Sequence, residues 1–324
     1  MAPCGPGKKA GNDNRRMSSS SSINGIVPLT HWGVIRARGA DAASFLHSQL
    51  TNDFAKLGPD AARLAGYCSP KGRLLASFVA WKTGDEDILL ACDASVLPAT
   101  LKRLSMFVLR ARCKLSDATS EVPLYGVAGA PADAERASLP VWGKHGVDGG
   151  QWIRLPDGGG TPRALLAGRP LDGEAPTLTL DEWRWLEVQS GVPVIEATTV
   201  EKFVPQMLNL ELVGGIDFQK GCYPGQEIVA RSQYRGTVKR RTFLFDVDGP
   251  ALAGQDVFHA ADASQPAGMV ANAAPQPEGQ GSSALVEVKL AALDGPLHLG
   301  APDGPTLRRR ELPYPVPVDA GQPV

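Results

Sequence analysis

The chain has no Cys-x-x-Cys and no His-x-x-x-His anywhere. Its five cysteines (Cys4, Cys68, Cys92, Cys113, Cys222) and five histidines (His31, His47, His145, His259, His298) are dispersed. A resident zinc or iron–sulfur cluster needs clustered thiolates or imidazoles, so no bound metal is assigned. An odd, scattered thiol count reads as reduced cysteine rather than a disulfide frame. A charge of one sign is also lacking: 33 basic against 34 acidic side chains leave a formal charge of −1. That balance argues against bulk electrostatic binding to nucleic acid or anionic membrane. No apolar run approaches a membrane span. The basic N-terminal residues Lys8, Lys9, Arg15 and Arg16 have no apolar stretch behind them, so they do not read as a secretory signal. A cytoplasmic protein is expected. Gly158-Gly159-Gly160 is followed by no Lys-Ser or Lys-Thr and does not match a phosphate-binding loop. The dispersed histidines give no support to a Ser-His-Asp triad or to a general base in sequence near any one thiol.

What is present is a globular composition, 43% hydrophobic and 21% charged over 324 residues, enough for two or three domains. Residues 1–23 read as a disordered tail. Residues 24–118 read as an α+β lobe with a largely antiparallel sheet. In it Val34–Arg38 is a strand, Asp41 caps a helix burying Ala42, Phe45, Leu46 and Leu50, and Pro70-Lys71-Gly72 turns a hairpin. Asn52-Asp53 suits a cap or turn. Asp87–Cys92 is a further strand, and Leu97, Leu101, Leu104 and Val108 predict a helix over 95–109. Residues 119–240 read as a second α+β lobe. Thr179-Leu180-Asp181-Glu182 is a capping box opening a helix to Ser190, with Gly191 past its end. A short helix is expected over 203–213. Short β-type runs separated by Gly, Pro and Ala predict a small barrel over 241–312, followed by an extended tail at 313–324.

The densest chemistry lies in Lys220-Gly221-Cys222-Tyr223-Pro224-Gly225-Gln226-Glu227. Pro224 suits the first position of a helix continuing through Arg231. A thiol there, two residues from Lys220, is expected to see positive potential. Most free cysteines are small buried hydrophobes, but Gly, Tyr and Pro make a turn, and turns lie at surfaces. The flanks favour a functional thiol at Cys222. Arg231, Arg235, Lys239, Arg240 and Arg241 form a basic run around Tyr234. It suits a solvated strand edge, an anionic ligand tail or a protein partner ahead of RNA. Arg308-Arg309-Arg310 reads as surface.

The octapeptide resembles the signature of the YgfZ family, folate-binding relatives of the aminomethyltransferase (T-protein) of the glycine cleavage system. Ser69–Leu75, Gly191–Ile195, Phe203–Gln206 and Gly214–Ile216 are similar to the same family and stand in its order. The resemblance implies a T-protein-like three-lobed ring, two α+β lobes and a small C-terminal β-barrel around a central channel. It implies tetrahydrofolate as cofactor, with Trp32 and Trp183 as pterin contacts and Gln189 where T-protein has a glutamate. It carries the reactive thiol to Cys222 and the motif to Lys220, Gly221, Tyr223, Gly225, Gln226, Glu227 and Arg231. It also implies an accessory protein for the assembly, maintenance or repair of iron–sulfur enzymes, including those that modify tRNA, with those enzymes or assembly proteins as partners; a monomer is expected. Direct nucleic-acid binding is not expected. Ala76-Ser77 stands where T-protein has its catalytic acid, which counts against glycine-cleavage chemistry. The alternatives are a folate-dependent one-carbon transferase or demethylase, and a tRNA-binding module.

Overall fold

The computed structural model describes residues 23–130, 134–169, 177–234, 238–277 and 279–317. Most of the two tails read from composition, together with Cys4 and Arg235, lies outside them. The chain opens with β1 (Gly25–Pro28), β2 (Trp32–Arg38), α1 (Ala42–Gln49), β3 (Ala62–Cys68), β4 (Leu74–Gly84), β5 (Asp87–Asp93), α2 (Leu97–Ser105) and β6 (Lys114–Asp117). Next come β7 (Leu124–Ala128), the short α3 (Ala134–Ala137), β8 (Lys144–Val147), β9 (Gly150–Gly158) and β10 (Thr161–Gly168). Helices α4 (Leu180–Gln189) and α5 (Gln226–Tyr234) flank a long irregular stretch. The last strands are β11 (Arg240–Val247), β12 (Asp256–His259), β13 (Gly268–Pro275), β14 (Ser282–Lys289), β15 (Leu297–Leu299) and β16 (Thr306–Arg310). One sheet has the order β3-β4-β5-β2-β6 and a second β1-β7-β10-β9-β8, and the last six strands close a barrel. No described helix is long and apolar enough to cross a membrane.

The first sheet is buried on both faces. Alternate side chains of a strand point to opposite faces, so Val34, Val79, Trp81, Leu89 and Ala91 meet Ile153 and Leu165 of the second sheet, with Trp183 and Leu186 of α4. Ile35, Phe78, Ala80, Leu90 and Cys92 turn the other way, into a core with α1, α2 and the irregular stretch. This double burial explains why Ile88–Cys92 is an unbroken apolar run without alternation. Barrel closure leaves β11 paired on both sides, to β14 and β16.

Two of the boundaries drawn from sequence run across this packing. β1, assigned to the first lobe, pairs antiparallel with β7 of the second sheet. Ile195, Phe203, Leu208, Leu210, Ile216 and Val229, assigned to the second lobe, pack into the core beneath the first sheet. The helix expected over 95–109 stops at Ser105. The one expected over 203–213 is a single 3-10 turn, Pro205–Leu208, ended by Asn209 in the left-handed conformation at φ 55°. The helix expected from Gln226 through Arg231 is present and runs on to Tyr234, with Pro224 and Gly225 in a turn before it. The capping box is present in full: the Thr179 hydroxyl accepts from Glu182 N, and Thr179 N donates to Glu182 Oε2 at 2.8 Å.

The octapeptide docks on the β3–β4 hairpin through two glycines. A Cβ on Gly225, which has φ +80°, would stand 2.7 Å from Gly72 Cα and closer still to Ser69 O. A Cβ on Gly72 would meet Ile228 Cβ at 2.8 Å. Gly214 has a similar φ of +79° but open space around it. Gly225→Ala is therefore expected to cost about 2–3 kcal/mol, combining backbone strain with overpacking. Gly214→Ala should cost only the conformational part, about 1 kcal/mol. Urea unfolding of the two variants checks this; equal losses would show that the glycine–glycine contact contributes nothing.

Candidate functional site

Helix α4 carries the first part of the site. Trp183 and Glu187 are four residues apart and so share a face. Trp183 is fully buried. Its ring packs over Gly126, where a Cβ would stand 2.5 Å away, and the Arg163 guanidinium lies 5.1 Å from the ring centre. Arg163 is itself buried, and desolvation draws its pKa down to about 10. The Trp183 indole N–H donates to Glu187 Oε1 at 2.9 Å. Trp32, at the start of β2, donates to the same oxygen at 3.1 Å. Nε2 of His31 lies 3.1 Å from Glu187 Oε2, while Nδ1 of His31 is buried without a hydrogen-bond partner.

Above this carboxylate is a cavity of about 150 Å³, walled among others by His31, Trp32, Asp93, Arg184, Glu187 and Asn272. A second, of about 40 Å³, shares Trp32, Glu187, Val192 and Val194 and reaches Ser77 and Trp142. The walls thus come from the first sheet, α4, the second sheet and the barrel. Glu196, also in the first cavity's wall, has its carboxyl pKa raised by burial, and it accepts from Asn272 Nδ2 at 2.7 Å.

Trp32 lines both cavities. Trp183 lines neither and offers its N–H to Glu187 instead of a ring face. Gln189 also lines neither; its Cβ and Cγ face Gly159 on the β9–β10 hairpin. Two residues turn a helix by about 200°, so with Glu187 on the cavity side Gln189 points away from it. The α4 carboxylate that faces the cavity is Glu187, and the i, i+4 spacing from Trp183 was the signal for it. Ser77 lies in the second cavity's wall, and its hydroxyl accepts from Ile195 N at 3.0 Å. Of the pair Ala76-Ser77, Ala76 is buried and Ser77 gives the cavity a backbone-bonded hydroxyl.

The octapeptide residues line neither cavity. They gather against the end of α1. Lys220 Nζ donates to the carbonyls of His47, Leu50 (3.0 Å) and Gly221 (3.2 Å) and lies 4.8 Å from the Tyr223 ring centre. Burial draws its pKa down to about 8, against the charges of Asp53, Asp217 and Cys222. Tyr223 is buried, its hydroxyl has no partner, and desolvation raises its pKa. Gln226 starts α5, and Glu227 and Arg231 are exposed on it.

Cys222 itself is exposed. Burial pushes the Cys68 thiol up to about 12 and that of Cys113 up to about 11, and raises that of Cys92 further. Among the described residues, Cys222 is the thiol open to solvent. The expected helix N-terminus does not face it directly, because α5 begins only at Gln226. The basic residues are largely paired: Arg240 with Glu287, buried Arg241 with Glu211, Arg308 with Asp248 and Arg310 with Asp246. Arg309 stacks on Phe243, 4.3 Å from the ring centre.

No family model matches the chain. Curated proteins do. The tRNA-modifying protein YgfZ of Enterobacter sp. (strain 638) is 32% identical over 253 residues, covering 72% of this chain and 75% of that protein. Proteins of the same name from Sodalis glossinidius (strain morsitans) and Escherichia coli O157:H7 (strain EC4115 / EHEC) are each 30% identical over 252 residues, with the same coverage. The chain belongs to the YgfZ family. Its fold is that of the T-protein: the aminomethyltransferase T of the glycine cleavage system from Bartonella henselae superposes with a TM-score of 0.71. That match is 15% identical and covers 92% of this chain and 87% of the other. In this YgfZ-family chain the signature octapeptide and the cavity are built by different elements around one first sheet.

The lowered Lys220 pKa gives a test of its burial. Between about 8 and the ordinary 10.5 the unfolded chain binds the proton that the folded chain has released. Stability from this group is therefore complete above the unfolded value and is lost as pH falls through the folded one. The stability of wild type relative to Lys220→Met should rise from pH 8 to 10.5 and stay level below 8. Urea midpoints across that window measure it; a level difference throughout would show that folding does not desolvate the Lys220 ammonium.

Proposed function

We propose that the chain is a folate-binding accessory protein for iron–sulfur enzymes, including enzymes that modify tRNA, and that its exposed thiol is Cys222. The observation that carries the folate reading is the convergence of Trp32 and Trp183 on one Glu187 oxygen at the cavity wall. The residues present fit a pterin. Trp32 offers an aromatic surface, Glu187 a fixed acceptor, and His31 Nδ1 a buried nitrogen still without a partner. About 150 Å³ is less than a typical whole-ligand site, so the cavity suits the head of a larger molecule. Exposed Arg184 at its wall suits an anionic tail.

Tetrahydrofolate, when bound, supplies a reduced heteroaromatic head that can carry one-carbon units. The chain's own part is positional. Trp183 fixes the Glu187 carboxylate from below, and Val188, Val192 and Val194 keep water from the wall. Ser77 in place of an acid counts against one-carbon transfer as the main activity. Cys222, outside both cavities and exposed, is available to a macromolecular partner for exchange of sulfur or electrons. The relatives are named for tRNA modification. The pairing of Arg240, Arg241, Arg308 and Arg310 supports a link through partner enzymes over direct RNA contact. The place of work on this reading is the cytoplasm.

Calorimetric titration of tetrahydrofolate tests it. Trp32→Ala is expected to weaken binding about tenfold, the loss of one stacking contact. Trp183→Phe, which keeps the ring and removes the N–H, should weaken it less. Cys222→Ser should bind like wild type yet fail to support iron–sulfur tRNA-modifying enzymes in cells lacking the native chain. Equal affinity in wild type and Trp32→Ala would overturn the folate reading, and full complementation by Cys222→Ser would overturn the thiol.

A further inference from the structure

We infer that Glu196, aimed by Asn272 of the barrel, is the specificity-determining residue of the larger cavity, and that it selects a flat ring carrying two neighbouring N–H donors, as the amino-pyrimidine edge of a pterin does. The inference rests on the folate reading and deepens it, by naming the side chain that reads the ligand's edge.

A carboxylate has about four acceptor positions, two on each oxygen. Glu187 has few of its own left. Its Oε1 receives the indole N–H groups of Trp32 and Trp183, and its Oε2 lies 3.1 Å from His31 Nε2. What remains suits one further donor, not a fork of two parallel bonds. Glu196 stands in the wall of the same cavity with one oxygen engaged. Its Oε1 accepts from Asn272 Nδ2 at 2.7 Å, and its Oε2 accepts no hydrogen bond from any described residue. The carboxyl free to receive a pair of N–H groups is therefore Glu196.

The mount of this carboxyl is built for it. β13 has a register shift between Val270 and Asn272 where it pairs with β14. A bulge re-aims the side chain beside it, and Asn272 reaches across to the segment after α4. Its Oδ1 accepts from Val194 N at 2.9 Å, and its Nδ2 donates to Val194 O at 2.9 Å and to Glu196 Oε1. The Glu196 backbone is fixed as well, its N–H donating to Thr199 Oγ1 at 3.0 Å. The carboxyl is thus held at the wall from both ends.

A simpler role for Glu196 is to pin the barrel to this segment. The two bonds between Asn272 and Val194 already do that. Burial raises the Glu196 carboxyl pKa, opposed by the Asn272 bond and the Arg184 charge and assisted by the charges of Asp93 and Glu187. With the folded value above the unfolded one, stability from this group is full below the ordinary carboxylate range and is lost as pH rises through the folded value. At neutral pH the ionised carboxyl works against the empty fold, and a ligand's N–H donors would supply the bonds it lacks. Asp93, another acid of the wall, is turned instead to Ser95 N and Oγ, in bonds open to solvent.

The test is calorimetric titration of the full chain with two probes, tetrahydrofolate and its analogue with methyl in place of the 2-amino group. Wild type should prefer tetrahydrofolate by about tenfold or more, since a site that bonds an N–H group rejects the analogue lacking it. Glu196→Gln should bind tetrahydrofolate about tenfold to a hundredfold more weakly, the loss of a charge-assisted bond, and show no preference between the probes. Its urea midpoint at neutral pH should equal or exceed that of wild type; a lower midpoint with the preference kept would make Glu196 a structural residue only. Equal preference in wild type and Glu196→Gln would overturn the inference and leave the folate reading standing. Loss of the preference in Asp93→Asn but not in Glu196→Gln would overturn it too. A wild type that binds no tetrahydrofolate would remove the folate reading and this inference together.

Discussion

Everything around the cavity depends on the Glu187 carboxylate receiving two indole N–H groups. Glu187 sits on α4, and α4 touches each unit of the molecule. Trp183 enters the core between the two sheets. Trp185 donates to Ser283 Oγ of the barrel at 3.1 Å. The bond from Trp32 ties the same helix to β2. A buried indole N–H without its acceptor costs about 1–3 kcal/mol. Glu187 satisfies two such groups while keeping its second oxygen toward His31. The same contacts hold the fold and shape the cavity wall.

The octapeptide uses a different kind of constraint. It is held by backbone approach, Gly225 on the Ser69–Gly72 turn, and by one ammonium buried among carbonyls. Such a mount fixes the chain without covering the Cys222 side chain. Conservative packing beneath and an exposed thiol above are what a residue needs if its counterpart is another protein.

Much of this was legible in the residues, for local reasons. Thr179 and Glu182 announce the start of α4 because a capping box needs only four residues. Cys222 stood out because its neighbours are turn-formers. The barrel was visible as short strands with frequent turns. What escaped was set by contacts distant in sequence. Nothing near Gly25–Pro28 says that its partner is Leu124–Ala128 rather than β2. The helix expected from Phe203 failed because Pro205 opens only one turn and Asn209 closes it in the left-handed region. Glu187 went unnoticed because a motif comparison carries no helical phase, and phase is decided by which face buries Trp183.

The pairing of β1 with β7 also sets an order of events. A chain emerging from the ribosome presents β1 before the first sheet, but its partner strand is made only after that whole sheet. Until Leu124–Ala128 appear, Ile26 and Val27 are an apolar strand with nowhere to pair, and such strands are sites of misassembly. The first sheet can assemble in the meantime from β2 to β6, whose mutual contacts need no residue outside it. Nascent-chain folding of this protein is therefore expected to proceed from the middle outward, with its first strand among the late arrivals.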